Sequence, residues 1–85
     1  MEVSGDSMIE AHIDEGDYVI VRKQPNARAG DMVVARTEEG DATLKFWFPE
    51  KGRIRLQPAN SNMDPIYVKE AMIDGIVVGV VRRLG

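Results

Sequence analysis

The stretch EGDYVIVRKQPNARAGDMVVAR, residues 15–36, decides the fold class. It holds two Gly-Asp pairs 14 residues apart, Gly16-Asp17 and Gly30-Asp31. Each launches a run of apolar, mostly branched residues: Tyr18-Val19-Ile20-Val21-Arg22 and Met32-Val33-Val34-Ala35-Arg36. Glycine tolerates the positive φ that a tight turn needs, and an aspartate side chain bonds the backbone just beyond it. β-Branched runs bounded by such turns read as strands. Two occurrences are too few for a solenoid, so the repeat is a local structural echo.

The same grammar continues outward. Glu39-Gly40-Asp41 is a hairpin signal leading into Ala42-Thr43-Leu44-Lys45-Phe46-Trp47-Phe48, and residues 49–52, Pro49 to Gly52, form the next break. Arg53-Ile54-Arg55-Leu56-Gln57 alternates cleanly, with Ile54 and Leu56 on one face. A polar loop runs from Pro58 to Pro65, Ile66-Tyr67-Val68 is a short strand, and Ile73 to Arg83 is the longest apolar run. Only Ser7 to Ile13 and Lys69 to Met72 have room for a helical turn. The expectation is an all-β, strongly curved single domain over residues 1–85, with one or two short helical turns.

Composition narrows the function. The chain has 85 residues, enough for one modest core, with 44% apolar and 29% charged residues. A net charge of −3 and no basic face argue against direct DNA binding. There is no cysteine, which excludes disulfides and thiolate metal sites and suits a cytoplasmic location. No apolar stretch approaches the roughly 20 residues that span a bilayer, so no membrane association is expected. His12 is the single histidine and reads as a surface turn residue. Asp14, Glu15 and Asp17 lack the spacing of a calcium loop and read as a solvated turn. Neither a metal nor a cofactor is expected.

With one isolated histidine, a serine–histidine–aspartate site has little to work with. A serine–lysine pair remains open. It needs a serine on a sharp exposed turn and a lysine that can be kept dry and neutral. Ser4-Gly5-Asp6-Ser7-Met8 offers the first, with backbone N–H groups able to hold an oxyanion, and Lys45 can supply the second. The plainer roles stand beside these: serine next to glycine is most often a turn or cap residue. In the strand from Ala42, Leu44, Phe46 and Phe48 share one face, and Thr43, Lys45 and Trp47 share the other. Periodicity alone therefore puts Lys45 on the solvated face.

The chain resembles the LexA/UmuD family of peptidase domains through Val3-Ser4-Gly5-Asp6-Ser7-Met8, Gly16 to Val21, Gly30 to Arg36 and Thr43-Leu44-Lys45. Leu56 to Ile66 and Gly75 to Arg82 extend the likeness, in family order, over nearly all 85 residues. The resemblance implies a β-clip-like fold shared with signal peptidases. It implies Ser7 as nucleophile, Lys45 as general base, and the backbone N–H groups of Ser7 and Asp6 as the oxyanion hole. The family's usual substrate is its own chain, cut at an Ala-Gly or similar pair upstream of the core. The implied stimulus is a RecA filament on single-stranded DNA, and the outcome in LexA-type repressors is the end of repression of DNA-damage genes.

Two departures stand out. Six residues precede Ser7, so the expectation is that the DNA-binding domain and the scissile segment are absent, and that the chain neither cuts itself nor binds operator DNA. Phe46-Trp47-Phe48 follows Lys45, where family members often carry a basic residue. A homodimer through the C-terminal strand, Ile76 to Val81, is expected because that run is apolar on both faces and lies near a terminus, with Arg82 and Arg83 capping the pairing. A central strand of one sheet is the alternative. A non-catalytic dimerisation module and a UmuD-like polymerase accessory peptidase are the competing functions.

Overall fold

A computed structural model describes residues 1–84. Six strands form one antiparallel sheet: β1 (Tyr18–Lys23), β2 (Met32–Arg36), β3 (Ala42–Glu50), β4 (Arg53–Gln57), β5 (Ile66–Val68) and β6 (Met72–Val81). The spatial order is β1-β6-β2-β3-β4-β5, an open sheet rather than a closed barrel. Strands β2, β4 and β5 fall where alternation and turn residues place them. The one helical element is a single 3-10 turn, Ile9–Ala11; Lys69 to Met72 forms none.

Strand β3 overruns the expected break at Pro49 and ends at Glu50. Its ladder with β2 stops at Phe46, so at Pro49 only β4 is paired alongside. A proline there costs no ladder bond on the open side.

Strand β6 lies between β1 and β2 in the sheet order, the central-strand alternative, although within the run Ile76 to Val81 only Ile76 pairs on both sides. Met72 to Ile76 pairs with β2, and Gly75 to Val81 pairs with β1. From Val77 to Val81, β1 is the only partner among the described residues. The registers skip Val78 against β1 and Asp74 against β2. Such bulges bend and twist a strand, and β6 carries two in its ten residues.

The curved sheet carries core on both faces. Val3, Met8, Ile13, Val19, Val34 and Leu44 form one cluster. Val33, Ala35, Trp47, Leu56 and Ile76 form the other. Neighbouring residues of β2 and β3 are thus both buried, which no single solvated face allows.

Candidate active site

The segment before the 3-10 turn is held as a short extra strand. Val3 N–H donates to Asp17 O at 2.7 Å, and Gly16 N–H donates to Val3 O at 2.9 Å. Gly5 takes φ 82°, in the left-handed region that glycine enters freely, and turns the chain sharply. Buried Val3 and Met8 pin both ends of this turn into one apolar cluster. Ser7, between them, is left half-buried beside the surface.

Lys45 comes from the middle of β3. It is buried at 7% exposure, not solvated as periodicity placed it. Val33, fully buried, faces it across the β2–β3 ladder, and residues directly opposite share a face. Its Nζ lies 3.2 Å from Ser7 Oγ, 2.7 Å from Thr43 Oγ1 and 3.2 Å from the Leu44 carbonyl oxygen. Burial away from water disfavours the ammonium form and lowers the Lys45 pKa from its ordinary value.

Three acceptors suit a charged ammonium with three N–H groups. They also suit a neutral amine: two N–H groups go to Thr43 and Leu44, and the lone pair faces the Ser7 hydroxyl, which then donates. The second arrangement is the one a general base needs. Thr43 is the residue that sequence reasoning missed. It sits two positions before Lys45, hence on the same face, and that spacing was the available signal.

The backbone N–H groups of Ser7 and Asp6 donate no hydrogen bond among the described residues. The Ser7 and Asp6 carbonyls are both engaged, by Ala59 N–H at 2.7 Å and by Asn60 Nδ2 at 2.9 Å. A cleft of about 270 Å³ brings together Ser4, Ser7, Met8, Thr43, Leu44 and Lys45. A neighbouring groove of about 450 Å³ shares Thr43, with Ile66 and Val68 in its wall and Glu38, Glu39 and Asp41 at its rim.

Asp14 and Glu15 are exposed as the solvated reading has them, and Asp17 departs from it. Asp17 is buried at 3% exposure and forms a bidentate pair with Arg82, Nε to Oδ1 at 3.0 Å and Nη2 to Oδ2 at 2.8 Å. The Arg82 hydrogen bonds, then the Asp14 backbone N–H, hold the Asp17 carboxyl down to about 2. Arg82 Nη2 also donates to the His12 carbonyl at 2.9 Å. Arg82 is therefore engaged within its own chain, at the end of β6. His12 is exposed and takes no part in the cleft. Among the described residues no group of three or more His, Cys, Asp or Glu side chains is placed to hold a metal, and no helix is long and apolar enough to cross a membrane.

Known proteins align with nearly the whole sequence of this chain. The Peptidase S24-like family matches residues 1–81. A LexA repressor from Geobacillus sp. (strain WCH70) is 60% identical over 82 residues, 96% of this chain and 40% of that protein. A LexA repressor from Staphylococcus carnosus (strain TM300) is 55% identical over 84 residues, 99% of this chain and 41% of that protein. The chain thus spans about 40% of the length of these curated relatives. With a family match over 81 of its 85 residues, the chain belongs to the Peptidase S24-like family.

Proposed function

We propose that this chain is the self-cleaving peptidase core of a LexA-type repressor, acting in the cytoplasm, with Ser7 as nucleophile and Lys45 as general base. The observation that carries this is the 3.2 Å approach of a buried lysine amine to the Ser7 hydroxyl. The repressor names of the relatives supply the biological setting.

In the proposed reaction, neutral Lys45 takes the Ser7 proton as Oγ bonds to the scissile carbonyl carbon. The carbonyl oxygen becomes an oxyanion held by the N–H groups of Ser7 and Asp6. The intermediate collapses, the C–N bond breaks, and the Lys45 ammonium returns its proton to the leaving amine. A water, deprotonated by Lys45, then hydrolyses the acyl-serine ester. Arginine cannot replace Lys45, because its guanidinium stays charged.

The substrate bond is an Ala-Gly pair in a segment upstream of Val3, with branched apolar residues before it. The Ile66 and Val68 wall beside the cleft supports that preference. A RecA filament on single-stranded DNA is the proposed stimulus, and a second copy of this chain the proposed partner along Val77 to Val81. Operator binding belongs to another part of the repressor. In the test, an Ala-Gly peptide is offered in trans at high concentration across a pH series. A tethered substrate can reach effective molarities of about 10⁵ M or more, so slow turnover is expected. Cleavage should accelerate with pH and vanish in Ser7→Ala. It should fall at least about 100-fold in both Lys45→Ala and Lys45→Arg. Cleavage surviving in Lys45→Ala with the same pH dependence would overturn the pair. A wild-type chain in which Ser7 resists a serine-directed acylating reagent would favour a non-catalytic dimerisation module.

A further inference from the structure

We infer that Asn60 is a positioning residue that aims the Ser7 amide at the oxyanion. This rests on the peptidase function proposed above. Asn60 lies in the loop after β4 and is buried at 6% exposure. Its Nδ2 donates to the Asp6 carbonyl at 2.9 Å, and its Oδ1 accepts from the Asn62 N–H at 2.9 Å. The first partner only accepts and the second only donates, so the amide has one usable orientation.

The carbonyl that Asn60 holds belongs to the same peptide unit as the Ser7 N–H. That unit is planar and trans, so its C=O and N–H point in opposite directions. Fixing the oxygen on the Asn60 side fixes the N–H on the other, where it donates to nothing among the described residues. Donation to the oxygen also polarises the unit and strengthens its N–H as a donor. The next peptide unit is held by the same loop, because Ala59 N–H donates to the Ser7 carbonyl at 2.7 Å. The loop is tied back in turn: Glu10 N–H donates to Ala59 O at 2.7 Å, and Glu10 Oε2 accepts from both the N–H and the hydroxyl of Ser61 at 2.7 Å. Both carbonyls flanking the nucleophile are therefore set by residues 59 and 60, more than 50 positions away in sequence.

The test compares the wild-type chain with Asn60→Ala and Asn60→Asp on the Ala-Gly peptide. The aspartate keeps the acceptor for Asn62 but faces the Asp6 carbonyl with an anion. Removing an oxyanion donor outright costs on the order of 10²–10³ in kcat; losing only its aim should cost about 10- to 100-fold, and more in Asn60→Asp than in Asn60→Ala. KM should stay within about twofold, and in Asn60→Ala the midpoint of the pH profile should not move, because no charge near Lys45 has changed. A purely structural role would instead lower the melting temperature and the fraction of active protein while leaving kcat per active site unchanged.

A measurement on the wild type stands independently of how the variants fold. A peptide ending in alanine aldehyde adds to Ser7 Oγ as a tetrahedral adduct, and the Ser7 amide proton should then move downfield in the NMR spectrum. An unchanged kcat in both variants, or a Ser7 amide indifferent to the adduct, overturns the role of Asn60 while leaving the peptidase standing. A wild-type chain that neither cuts the peptide nor forms the adduct overturns both.

Discussion

At the scale of single residues, Lys45 carries opposed demands. Its Nζ has three polar neighbours, Ser7, Thr43 and the Leu44 carbonyl, yet its stem is buried beside Val33. Burial lowers its pKa in the folded state, whereas the unfolded chain presents an ordinary lysine at about 10.4. Between those two values the unfolded state binds more protons, so stability rises with pH across that window. Above about 10.4 both states are neutral and the penalty is gone; below the folded-state pKa it is present in full. Lys45→Met keeps the stem and deletes the titration. Urea unfolding at pH 7, 8, 9 and 10 should show the wild type gaining on Lys45→Met once the pH passes the folded-state pKa of Lys45. Parallel stabilities over that range would mean that Lys45 is not desolvated in the folded chain. The same desolvation is what makes the amine available as a base: activity should climb up to the folded-state pKa and level off above it, where the gain in stability begins.

At the scale of elements, β6 is the strand on which the fold depends, and Gly75 is its tightest point. A Cβ built there would meet Val21 Cγ1 and lie 2.6 Å from the Arg22 carbonyl oxygen, closer than packed atoms tolerate. The backbone of β1 would have to give way. Gly75→Ala should therefore cost about 1–3 kcal/mol in urea unfolding. Gly79→Ala is the control on the same strand: its Cβ would meet Ile20 Cδ1 at 3.4 Å, which is ordinary contact, and should change stability by less than about 0.5 kcal/mol. Equal losses in the two would show that the close approach at Gly75 is not what matters. The position of β6 also marks how far sequence reads. Turn residues and alternation located the strands because those signals are local. That β6 inserts between β1 and β2 is a long-range pairing with no local signature, so its apolar run read as an edge awaiting a partner. Lys45 read as solvated because period-2 alternation assumes one wet face, and here both faces of β3 carry core. Asp17 read as a turn carboxylate because Arg82, its partner, lies 65 residues away. Asn60 sat in a stretch legible only as a polar loop. Chemistry admits Ser7 and Lys45 as candidates, a serine at a glycine turn and a lysine inside a strand, and the resemblance alone assigns their roles; neither spacing nor periodicity singles them out.

At the scale of the whole molecule, the open question is what covers the second half of β6. From Val77 to Val81 the strand is paired with β1 alone, leaving one backbone edge without a ladder. Around it lie Val78, Val80 and Val81 at 53%, 44% and 49% exposure, with Ile20 at 52% and Tyr18 at 44% on β1. The run from Val77 to Val81 carries no charge, whereas exposed edges are ordinarily blunted by lysine, proline or inward-pointing charge. A second copy related by a two-fold axis presents the same five residues in antiparallel order, so each N–H and C=O along the edge meets its counterpart. Arg82, locked to Asp17, closes the strand immediately beyond the pairing and links its end to the turn that holds Val3, four residues from Ser7. The chain should therefore sediment at equilibrium as two 9.5 kDa copies at tens of micromolar, an order of magnitude ordinary for such contacts. Val80→Glu should shift it to one copy, since in that register each carboxylate is set against the apolar edge of the second copy and diagonal to its own counterpart, which it repels. Its circular dichroism should be unchanged, because Val80 is exposed in the single chain. A wild-type mass of 9.5 kDa at every concentration would leave the edge bare and remove the dimer. Wild type and Val80→Glu dimerising alike would move the interface to another edge of the sheet, such as β5, where Ile66 and Tyr67 are also exposed.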